Sequence, residues 1–83
     1  MGKYQKLPWY ERDNAGQKNL LIMSKAEAIK KLSTIISEAF VNEDYDAIIL
    51  YANVIEQQLQ AMLNLVRELR DLIEKNKVES NGE

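Results

Sequence analysis

Apolar residues recur along the second half of this chain in alternating steps of three and four. In one register Tyr45, Ala52, Leu59, Val66 and Ile73 hold one seam position, and Ile48, Ile55, Met62 and Leu69 hold the other. This is the heptad of a helix that must bury a continuous stripe. Positions facing away from it, such as Asp46, Asn53, Gln57, Gln60, Asn64, Arg67, Asp71 and Glu74, are polar, and neither glycine nor proline interrupts the run. The pattern predicts a long helix over residues 45–76, about 48 Å at 1.5 Å per residue. Ile49 and Leu63 widen the stripe on one side, and Tyr51, Leu65 and Leu72 widen it on the other. A two-stranded coiled coil leaves such flanks wet, whereas a bundle of three or four helices buries them.

A second, shorter element precedes it. Ser24-Lys25-Ala26-Glu27 fits the capping box that starts a helix, with Met23 and Ala28 at the hydrophobic-staple positions. From there Ile29, Leu32, Ile35/Ile36 and Ala39/Phe40 share a face, leaving Lys25, Lys30, Lys31 and Glu38 for solvent. The expected helix covers residues 24–41; Leu20, Leu21 and Ile22 also extend its face back towards Gln17. Asn42-Glu43-Asp44 is too short for anything but an antiparallel neighbour. Asn42 suits a left-handed helix end and Asp44 suits the next N-cap, with Asp46 close to the positive end of the dipole.

These lengths do not match. A helix over residues 24–41 spans about 27 Å, so Met62, Leu63, Leu65, Val66, Leu69, Leu72 and Ile73 overhang it, with Met62, Leu63, Val66, Leu69 and Ile73 the candidates for self-association. Leaving such side chains wet forgoes about 1.5 to 3 kcal/mol each. Cover is expected from the N-terminal segment or from a second copy, and the wide apolar face favours the second. The sequence therefore predicts an all-α fold: an antiparallel helical hairpin with a long second helix, paired into a homodimeric four-helix bundle. In domain terms it reads as an aromatic, basic arm over residues 1–18, a hairpin over 19–76 and a disordered tail over 77–83.

The arm contains Leu7-Pro8-Trp9-Tyr10, with the chain's only tryptophan and only proline. Aromatic anchors beside a proline of fixed φ are suited to a partner's pocket, so Leu7, Trp9 and Tyr10 are the candidate protein-binding residues. A plainer reading is that Pro8 starts a short extra helix, ended at Gly16, whose tryptophan packs on the hairpin. Met23-Ser24-Lys25 also reads as a translation start, which would make everything before it an extension.

Composition narrows the chemistry. Among 83 residues there is no cysteine and no histidine, which removes disulfides, zinc clusters and every imidazole or thiolate mechanism. At this size a single core supplies little net stability, and oligomerisation is a common remedy. Eleven basic and 13 acidic residues leave a formal charge of −2, no field for coating nucleic acid. Lys25, Lys30 and Lys31 form one basic face, the basis of a nucleic-acid alternative; ordinary solvating charge explains them as well. Glu38, Glu43, Asp44 and Asp46 match neither a calcium loop nor a di-iron motif, and capping accounts for most of them. The expectation is no enzyme, no cofactor and no metal. No apolar run can cross a bilayer and no secretory signal opens the chain, so the expected setting is the cytoplasm and a membrane is not an expected partner.

The turn Asn42-Glu43-Asp44-Tyr45-Asp46-Ala47-Ile48, followed by Tyr51 and Ile55, resembles the hairpin turns of tetratricopeptide repeats and of the microtubule-interacting and trafficking domain. Ala47 and Tyr51 keep one of the repeat spacings; Tyr45 stands too close to Ala47 for the other. Several unrelated families share this turn, so it implies a hairpin and no particular family. The proposed architecture is similar to Rop-type plasmid regulators, without a shared motif. The functional expectation is an adaptor or regulator that contacts itself and another protein, the alternative being a Rop-like bundle that binds RNA or DNA.

Overall fold

A computed structural model describes residues 6–76. Two helices make up the hairpin, α1 over Trp9–Val41 and α2 over Tyr45–Glu74. With 33 and 30 residues they are close to equal in length, about 50 and 45 Å. The overhang expected beyond Met62 is therefore absent: α1 begins fifteen residues before Ser24 and runs beside α2 to its far end. The segment read as an arm contributes residues 9–18 to α1, as neither an extended strand nor a separate short helix.

Pro8 explains the start. Its φ of −60° and ψ of 155° make it the N-cap, and its carbonyl accepts from the N–H groups of Glu11 and Arg12 at 3.0 and 2.9 Å. Proline sits well here because the first turn leaves its N–H groups without intrahelical partners. The helix then passes through Gly16, where glycine costs about 1 kcal/mol relative to alanine. Packing sustains it. Ala15, Ile22, Ile29 and Ile36 form one seven-residue column, Glu11, Lys18, Lys25, Leu32 and Ala39 the other, and every member is buried or half-buried. The capping box at Ser24 lies in mid-helix with Ser24 exposed; the same residues are compatible with a helix interior. Glu11, Ala15, Lys18 and Ile22, all before Met23, are thus integral to the seam.

At the turn the left-handed residue is Glu43, with φ of 54°, and not Asn42, whose φ and ψ are −88° and 0°. Glu43 N–H donates to the Phe40 carbonyl at 3.2 Å and Asp44 N–H to that of Ala39 at 2.9 Å, the bond pair of a Schellman helix end. Asp44 serves twice, since its Oδ1 also accepts from Ala47 N–H at 3.2 Å and caps α2.

On α2 one of the two expected columns faces α1: Ile48, Ile55, Met62 and Leu69 are half-buried. The second buried column is Tyr51, Gln58, Leu65 and Leu72. Tyr45, Ala52, Leu59 and Val66 point outward, and only Ile73 of their column is half-covered. The polar Gln58 disguises the true seam, while the uniformly apolar column from Tyr45 to Ile73 imitates one. The helix is rotated by about 60°, the angle between residues three apart, relative to the register read from apolarity alone.

Burial is thin throughout. Ala15, Ala39 and Leu72, at 9, 6 and 8% exposed, are the buried apolar residues, and no large side chain among the described residues is fully enclosed. The radius of gyration, 18.6 Å, far exceeds the 11 to 12 Å or so of a compact domain of this length. One layer of two helices encloses no interior of its own.

Candidate interaction surface

The open end of the hairpin is held by polar residues in the seam. Glu11 Oε1 accepts from Asn76 Nδ2 at 3.0 Å, and Glu11 Oε2 lies 2.9 Å from Lys75 Nζ. Asn76 Nδ2 also donates to the Leu72 carbonyl at 3.0 Å. Hydrogen bonds from Lys75 and then Asn76 hold the Glu11 carboxyl below the ordinary glutamate range against the opposing effect of burial, and the lysine charge adds to the lowering. A further ion pair, Lys18 Nζ to Glu68 Oε1 at 2.9 Å, fixes the same antiparallel register. Polar groups at these seam positions forgo apolar burial but penalise any slip of one helix along the other.

Above this clasp stand the aromatic residues. Trp9 and Tyr10 are 75 and 58% exposed, their rings edge-to-face with centroids 5.8 Å apart, while Leu7 is half-buried. Pro8 does start a helix, but Trp9 does not pack onto the hairpin. An open depression of about 540 Å³ along α1 is lined by Trp9, Arg12, Asp13, Gly16, Gln17 and Leu20. A Cβ placed on Gly16 meets nothing within 4 Å, so the notch there is open to solvent.

The largest apolar feature lies on α2. Tyr45, Ile49, Leu59, Leu63 and Val66 are 41 to 61% exposed and, with Ala52, follow steps of four and three along one outer face. On α1 the large exposed apolar residues other than Trp9 and Tyr10 are Leu20, Leu21, Met23, Ile35, Phe40 and Val41; they lie mainly at residues 20–23 and 40–41, far apart along the helix, and form no comparable continuous stripe. Of the residues expected to mediate self-association, Leu63 and Val66 belong to this outer stripe, whereas Met62, Leu69 and Ile73 are half-covered by α1.

The remaining candidates separate. Lys30 and Lys31 are exposed, but Lys25 occupies a half-buried seam position, so the three lysines do not form one basic face. Among the described residues no group of three or more carboxylate, histidine or cysteine side chains is placed to hold a metal ion. No helix of the described residues is long and apolar enough to cross a membrane. Sequence periodicity named the stripe's members Tyr45, Ala52, Leu59, Val66, Ile49 and Leu63, although it assigned the first four to the seam and the other two to its edge.

No family model, curated protein or solved structure matches this chain. The functional reading therefore rests on the surface itself.

Proposed function

We propose that this chain is a small non-enzymatic helical interaction protein, an adaptor or regulator that works through self-association and contacts with another protein. The observation that carries the reading is the outer stripe of α2 on a hairpin that fully encloses no large side chain of its own among the described residues. Contiguous apolar patches of several hundred Å² on soluble chains mark interaction sites, and each large side chain covered contributes about 1.5 to 3 kcal/mol. Two hairpins joined through such faces form a homodimeric four-helix bundle, which gives the assembly the interior that one hairpin lacks. Trp9 and Tyr10, at the open end and away from the turn, supply the contact for a different protein.

Light scattering over a range of micromolar concentrations tests the first half: the expected mass is twice the 9.6 kDa of the chain, and a strictly monomeric mass overturns it. For the second half, wild-type protein and the Trp9→Ala/Tyr10→Ala variant serve as baits. Loss of a specifically retained protein in the variant supports the aromatic contact, and unchanged retention removes it.

A further inference from the structure

The outer stripe of α2 contains two charges, and their placement carries information about what covers it. Continuing the same steps of four and three, the stripe reads Tyr45, Ile49, Ala52, Glu56, Leu59, Leu63, Val66, Arg70. Glu56 and Arg70 each lie seven residues from Leu63, one on either side. Both are exposed, and neither belongs to the hairpin's ion pairs among the described residues, which are Lys18–Glu68 and Glu11–Lys75.

A second copy of the chain is the occupant that this arrangement fits. Between Glu56 and Arg70 the face is apolar, with Leu59, Leu63 and Val66 41 to 51% exposed. The charges then choose the orientation. Parallel α2 helices would set Glu56 against Glu56 and Arg70 against Arg70. An antiparallel pair with its two-fold axis near Leu63 brings each Glu56 to within about one turn of an opposite charge, and a two-fold contact is self-complementary in this way.

We infer that two copies pack their α2 helices antiparallel about a two-fold axis close to Leu63, with Glu56 of each copy beside Arg70 of the partner subunit. This rests on the proposed self-association and adds its face, orientation and register.

Sedimentation equilibrium on the full chain tests it with Glu56→Arg, Arg70→Glu and the double exchange, helicity being checked by circular dichroism. Both positions are exposed, so the hairpin is expected to persist. Each single reversal places like charges together twice per dimer and raises the dissociation constant roughly tenfold or more; the double exchange restores it. A wild-type dimer that single reversals leave unchanged, or that the double exchange fails to restore, overturns this geometry while leaving self-association intact. A monomeric wild type overturns both.

Because the chain has no cysteine, spin labels on Gln60→Cys and Asn53→Cys give an independent measure. Relative to an axis at Leu63, antiparallel packing offsets the two labels along the helix by about 9 Å at position 60 and about 30 Å at position 53. Equal distances at both sites would indicate parallel packing and refute the inference.

Discussion

Glu11 and Asn76 join the two extremes of the hairpin: the Glu11 carboxylate accepts from the Asn76 amide at 3.0 Å, beside its ion pair with Lys75 at 2.9 Å. Because these partners hold the folded carboxyl below its ordinary range, the contribution is present above that range. It is lost as pH falls through the depressed folded value. Urea midpoints of wild type and Glu11→Gln should therefore differ at neutral pH and converge in acid. A gap that stays constant through that range would show that the charge of Glu11 is not what closes this end.

Gly16→Ala should stabilise the hairpin by about 1 kcal/mol, since position 16 is helical and an added Cβ meets open space. In a chain of this size such a gain raises the melting temperature by about 4 to 8 °C. A fall in melting temperature would indicate that the notch is occupied in solution.

Glu43 has a φ of 54°, where a side chain costs roughly 1 to 2 kcal/mol. Glu43→Gly should recover part of that, offset by the greater freedom of glycine in the unfolded chain, for a net gain of about 0.5 to 1 kcal/mol. Asp44→Ala should do the opposite and cost about 1 kcal/mol through loss of the α2 cap. Chemical denaturation of both variants would reveal the contrast directly.

Leu72 is 8% exposed and Leu59 51% exposed in the hairpin. Leu72→Ala should cost about 2 to 3 kcal/mol at any protein concentration. The cost of Leu59→Ala should instead grow with concentration, because it removes area that only association covers. Denaturation at two concentrations a hundredfold apart distinguishes these behaviours.

Much of the hairpin was legible because it is local: the long unbroken period of α2, the three-residue turn and the Asp44 cap each depend on neighbours in sequence. The start of α1 was not. Its seam continues through Lys25 and through Glu11 and Lys18, whose partners Glu68, Lys75 and Asn76 lie fifty or more positions away, and only tertiary contact explains those pairs. The seven-residue column of Ala15, Ile22, Ile29 and Ile36 is the signal that would have placed that start correctly. Gln58 obscured the facing seam in the same way. The aromatic and apolar candidates were recognisable by type; which of them α1 covers depended on a rotation of α2 that apolarity alone does not specify.

The shared register also orders events in time. Pairs beside Asp44 close loops of a few residues, whereas Glu11 and Asn76 are separated by 65 positions, so closure entropy rises steadily towards the open end. The hairpin is in effect a zipper fastened at the turn, and its last teeth are the first to part. Amide protection should decline from Ala39 towards Glu11, which leaves Trp9 and Tyr10 on the segment that a ligand can reshape for the least work.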